Sequence, residues 1–110
     1  MTTRISKGCD GWQAETQIDL GIKDRVLIVS SHKTAGGVVT TSTVNTKKEG
    51  FLSWDLFGDF RRRTMFKGAR CTEKVIRELH QQALDALEQI KADAAAFYEK
   101  KDAKEGRQHD

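Results

Sequence analysis

Five cations crowd one short stretch of this chain: Arg61, Arg62, Arg63, Lys67 and Arg70. Guanidinium groups bridge phosphate oxygens in a planar fork and stack on bases. Phe60 and Phe66, interleaved with them, supply flat faces, and cationic groups beside aromatic ones suit single-stranded nucleic acid. The run Thr40, Thr41, Ser42 and Thr43 adds hydroxyls of the kind that touch phosphate and sugar. The expected nucleic-acid-contacting set is therefore Arg61, Arg62, Arg63, Lys67, Arg70 and Phe66, with Phe60 as a second stacking candidate. The plainer reading is a solvated basic loop whose phenylalanines belong to the core, and a net charge of only +3 keeps that reading in play.

Other reactive residue types do not assemble into a motif. Cys71 and Arg77 have the C-x5-R spacing of a phosphatase phosphate loop, and Arg70 beside a helix N-terminus would lower a thiol pKa. Yet Glu73, Val75 and Ile76 fall where such a loop must offer bare backbone N–H groups to a dianion. Cys9, His32, Cys71 and His80 are zinc-ligand types without zinc-ligand spacing. Ser31 to Gly37 holds the letters of a phosphate-binding loop in the wrong order. Asp55 and Asp59 come together on a helix but separate on a strand. The expectation is a non-enzymatic chain with no catalytic residue, no metal and no cofactor.

The elements that must position the basic stretch are readable from periodicity. Ile18, Leu20 and Ile22 alternate with polar neighbours, which marks a first strand. Val26 to Val29 is apolar on both faces, as in a central strand of Arg25 to Ser31. A tight turn at Lys23 and Asp24 would pair Leu20 with Leu27 and Ile18 with Val29. A loop one residue longer would pair Leu20 with Val26 and Ile18 with Ile28. After a turn over His32 to Gly37, the Val, Thr and Ser run Val38 to Val44 favours a third strand. Phe51 to Phe60 reads as a fourth, with a short helix as the alternative, and Arg61 to Arg70 as a loop. Thr72 is the expected helix N-cap. Ile76, Leu79, Ala83, Ala86 or Leu87, Ile90, Ala94 and Phe97 then form one apolar stripe over residues 73 to 100, with His80 on its flank.

The expected fold is α+β: a four-stranded antiparallel β-meander packed on one long C-terminal helix. Residues 1–13 read as a flexible arm, 14–100 as a single domain and 101–110 as a flexible charged tail. A β-meander followed by a helix, with a basic face, resembles in outline the small coactivator domains that bind single-stranded DNA, through architecture and not through motifs.

Composition narrows the remaining classes. At 110 residues the chain is the size of one domain. No apolar run approaches the roughly 20 residues of a membrane span. The polar residues 1–10 lack the apolar core of a secretory signal, so a cytoplasmic protein is expected. Two isolated cysteines read as free thiols in a reducing compartment. The functional expectation is a small binding module for nucleic acid. Its competitor is a protein-binding adaptor or inhibitor that acts through the C-terminal helix and the open sheet face, or as a homodimer.

Overall fold

A computed structural model describes residues 2–9, 11–21, 25–48, 51–53 and 60–108, with the backbone alone described at 46–48, 51–53 and 105–108. The chain is α+β. Its strands run in the order β1 (Thr2–Gly8), β2 (Gly11–Asp19), β3 (Arg25–Thr34), β4 (Gly37–Lys48), β5 (Phe51–Ser53) and β6 (Arg61–Lys67). Two helices follow, α1 (Glu73–Asp85) and α2 (Leu87–Gln108). All pairings are antiparallel: β1 to β5 are neighbours in chain order, and β6 pairs with β4. β5 and β6 occupy successive stretches of the same β4 edge, β5 opposite Thr46–Lys48 and β6 opposite Gly37–Thr43. Among the described residues the sheet is a meander whose last edge, that of β4, is shared by β5 and β6.

Several expectations are corrected here. The arm expected over residues 1–13 contains β1, whose Ile5 packs on Ala14, Val38 and Ile76 while its backbone pairs residue by residue with β2. Its alternation is hidden because an edge strand over a small core needs little apolar side chain. The fourth strand expected over Phe51–Phe60 is present at Phe51–Ser53, and positions 54–59 lie outside the described residues. The expected basic loop is a strand, β6. Neither proposed β2–β3 register forms: Ile18 faces Leu27, and Leu20 N–H donates to Arg25 O at 3.1 Å. The connection starts early because Asp19 Oδ1 accepts the Gly21 N–H at 2.7 Å and Gly21 adopts φ 69°, a side-chain-closed turn suited to glycine.

The helical stretch begins as its cap residue dictates. Thr72 is extended, and its Oγ1 accepts the Val75 N–H at 3.2 Å. One long helix was expected, but the stretch breaks at Ala86 (φ −92°, ψ 7°), whose N–H is shared between the carbonyls of Gln82 and Ala83. Neither Gly nor Pro marks the site. α1 lays Ile76 over Ala14 and Val38, whereas α2 lays Ile90, Ala94 and Tyr98 over Ile18, Leu27, Val29 and Val44. A bend between the two helices lets each follow its own part of a twisted sheet.

The apolar stripe also shifts at both ends. His80, expected on the flank, is buried, while Leu79 is half-buried against the Ile76 cluster; Tyr98 is buried in place of Phe97, which is 38% exposed. The C-terminal stretch is tied down rather than loose from residue 101. Arg25 donates from both terminal nitrogens to Asp102, at 3.0 and 3.1 Å, while its guanidinium lies 4.0 Å over the Tyr98 ring.

Candidate nucleic-acid interface

Pairing decides which way each cation points. Residues directly opposite on antiparallel strands share a face, and neighbours along a strand alternate. Arg61, Arg63, Met65 and Lys67 lie opposite Thr43, Thr41, Val39 and Gly37. That parity puts them on the face away from the helices. Arg62, Thr64 and Phe66 lie opposite Ser42, Thr40 and Val38, on the helix-covered face. The pleat thus divides the expected set in two.

On the helix side, Arg62 forms an ion pair with Asp93 of α2. Phe66 is half-buried and lines a cleft of about 250 Å³ with Arg62, Leu79, Ala83 and Ile90. Phe60 meets Phe97 edge to face, with ring centroids 6.2 Å apart. Phe66, expected to stack beside Arg61 and Arg63, lies on the opposite face of the sheet from both. Arg70 is exposed beyond the end of β6, in the connection to α1.

The open face carries the remaining arginines. Arg61 and Arg63 line a groove of about 510 Å³ with Glu15, Ile28, Ser30, His32, Thr41, Thr43 and Asn45. The register explains this membership. Arg63, Thr41, Ser30 and Glu15 form one row across β6, β4, β3 and β2, and Arg61, Thr43 and Ile28 form the next. Neither Arg61 nor Arg63 has an ion-pair partner among the described residues. Of the hydroxyl run in β4, alternation delivers Thr41 and Thr43 to the groove, while Thr40 and Ser42 turn into the core at 6% and 3% exposure. Glu15, Ser30, His32 and Asn45 were not expected at the site. Period-two reading of β2 and β3 places them on one face, but only the register brings that face to Arg61 and Arg63.

The opposite face holds a second constellation of reactive residue types. Thr16 Oγ1 lies 2.7 Å from His80 Nε2, and Ser31 Oγ lies 2.9 Å from His80 Nδ1. The line continues outward, from Thr16 to Thr3 at 2.9 Å and from Ser31 to Thr40 at 2.9 Å. A hydroxyl beside an imidazole is the core of nucleophilic catalysis, but here Thr16 and Ser31 have no exposed surface and His80 is 2% exposed. The arrangement satisfies buried polar groups between two apolar clusters. Burial lowers the His80 pKa below its ordinary value, because the imidazolium would lose its hydration there.

The remaining cysteine and metal candidates separate. Cys71 Sγ donates to the Trp12 carbonyl at 2.9 Å, and both cysteines are free thiols. The residues between Cys71 and Arg77 are largely helical, and Arg77 pairs with Glu73 at 2.9 Å on the exposed side of α1, so the C-x5-R spacing forms no phosphate loop. Among the described residues, no three His, Cys, Asp or Glu side chains converge on a possible ion position. No described helix is long and apolar enough to cross a membrane. No protein-family model matches the chain, and comparison with curated proteins and with solved structures finds no match. The outline likeness to coactivator domains therefore gains no support from known structures.

Proposed function

We propose that this chain is a non-enzymatic binding module that takes single-stranded nucleic acid across the open face of its sheet. The observation that carries this reading is that Arg61 and Arg63 line one groove with the hydroxyls of Ser30, Thr41 and Thr43. Two residues apart on β6, Arg61 and Arg63 are about 6.6 Å apart at the backbone, comparable with successive phosphates on an extended strand. Lys67 continues the same side of β6. A single strand suits a concavity better than a duplex does, since duplex grooves are read by protruding helices or ribbons. The described part of the face offers no Phe, Tyr or Trp for stacking, so affinity comes from phosphate contacts and is salt-sensitive.

The test is fluorescence anisotropy with labelled single- and double-stranded oligonucleotides across a salt series. With two phosphates neutralised, the logarithm of the single-strand binding constant should fall with that of salt at a slope of about −1.4. Preference for duplex, or affinity indifferent to salt, would sink the proposal.

The competing reading is a protein-binding adaptor or inhibitor working through the helices, or a homodimer. Exposed Phe97 favours it. A single exposed ring is common on monomers, however, and Ile90, Ala94 and Tyr98 are already buried against the chain's own sheet. That reading predicts a mass that rises with concentration in sedimentation and no nucleic-acid affinity. Free thiols at Cys9 and Cys71 fit work in a reducing compartment such as the cytoplasm.

A further inference from the structure

The groove has two chemically different ends. Arg61 and Arg63 stand on β6 at one wall, and Glu15 lines the groove from β2, three strands away in the same row as Arg63. At the usual strand spacing the backbones of Arg63 and Glu15 are about 14 Å apart. Both residues line the groove from those positions, so its width is on the order of one or two nucleotides. The carboxylate makes no ion pair with its cross-strand neighbour Arg4, on the same face. It is half-buried. A groove built only for phosphate would gain nothing from an acid, since the acid repels the anion it is meant to hold.

We infer that Glu15 is a base-reading residue, selecting nucleotides whose base carries an exocyclic amino group while Arg61 and Arg63 hold the phosphates. The inference rests on the proposed nucleic-acid reading and adds a preference to it. A carboxylate accepts from the N4 amino group of cytosine. Thymine presents its O4 acceptor at the corresponding position, so a carboxylate placed for the cytosine amino group meets an acceptor there and finds a donor only by shifting to the neighbouring N3–H. Ile28, 8% exposed, contributes a small apolar part of the groove lining, and Ser30, between Glu15 and Thr41 in the row, donates or accepts with either base.

The experiment compares labelled oligo(dC) and oligo(dT) of equal length at neutral pH, with the unaltered protein, with Glu15→Gln and with Arg61→Ala/Arg63→Ala. The expected result is roughly tenfold tighter binding of oligo(dC). Glu15→Gln should bring the two within about twofold, chiefly by raising affinity for oligo(dT), since glutamine both donates and accepts. Equal affinity of the unaltered protein for both, with binding still lost on replacing Arg61 and Arg63, would overturn the role of Glu15 and leave the phosphate reading standing. Binding of neither oligonucleotide at low salt would overturn the nucleic-acid reading and this inference together.

Discussion

His80 Nε2 lies 2.7 Å from Thr16 Oγ1 in the middle of the core, so the helix layer is joined to the sheet by a hydrogen bond as well as by apolar contact. With Ser31 on the other ring nitrogen, both imidazole positions are occupied in either neutral tautomer. A neutral ring satisfies this site at no cost in buried charge. Thr16 and Ser31 would both lose a partner if it were removed.

Stability should therefore depend on pH through His80. Its folded pKa is lowered by burial, so the unfolded chain binds the proton more readily. The contribution is fully present above the unfolded value of about 6.5. It declines as pH falls below that value and levels off once the lowered folded-state value is passed. Urea midpoints should fall between about pH 7.5 and about pH 5.5, and the fall should be smaller in His80→Gln. An equal fall in both proteins would show that His80 is not responsible.

Removing the ring altogether takes one of two hydrogen-bond partners from each of the buried hydroxyls of Thr16 and Ser31, which keep Thr3 and Thr40, and leaves a cavity behind. His80→Ala should lower unfolding free energy by about 2–4 kcal/mol. Chemical denaturation with an unchanged m-value checks it.

Gly37, the first residue of β4, lies opposite Lys67 at the end of β6. Its φ is +143°, and a Cβ there would meet the Phe66 carbonyl oxygen at 2.2 Å and Gly68 N at 2.9 Å, both backbone atoms that cannot swing aside. Gly37→Ala should cost about 1–3 kcal/mol from backbone strain alone, and should loosen β6 first. Amide exchange over Arg61–Lys67 should accelerate well before exchange over β3.

The far end of α2 depends on a bidentate contact between Arg25, at the start of β3, and Asp102. Their side chains are 12% and 19% exposed, so the pair is screened less than a surface ion pair. Asp102→Ala should cost about 1–2 kcal/mol and release the last turns of α2, while α1 exchanges at its original rate. Unchanged exchange over residues 99–108 would remove this contact from the account.

Much of this fold is legible in the chain, and the failures share a cause. β2, β3 and β4 bury substantial side chains on at least one face, so alternation or a Val and Thr run reveals them. Thr72 declares the start of α1 through local chemistry. β1 and β6 are edge strands that carry cations and hydroxyls on both faces, and their strand character lies in backbone pairing that no window of sequence contains. The break at Ala86 likewise follows from the surface beneath it and not from a helix-breaking residue.

The candidate site shows the same division. The cationic cluster is plain in the sequence, but adjacent Arg61 and Arg62 face opposite ways because Thr43 and Ser42 do. Read as a loop, Arg61, Arg62 and Arg63 are equivalent. Read as a strand, only Arg61 and Arg63 reach the groove. Glu15 joins them through the registers of three strand pairs.

The thiols offer a separate check on the packing at the other end of the sheet. Cys9 is exposed, whereas Cys71 is half-buried and donates to the Trp12 carbonyl. An aromatic disulfide reagent should titrate Cys9 fast and Cys71 slowly in the folded protein, and both together in urea. Two equally fast thiols would show that Cys71 is not held as described.

The central claim is that the open face of the sheet binds phosphates through one side of β6. Single-strand affinity should be measured for Arg61→Ala, Arg62→Ala and Arg63→Ala separately across a salt series. Arg61→Ala and Arg63→Ala should each weaken binding and reduce the steepness of the salt slope by about 0.7, while Arg62→Ala, on the helix side with Asp93, leaves both nearly unchanged. Equal losses in all three variants would mean that net charge and not this face does the binding, and no affinity in the unaltered protein would contradict the account outright.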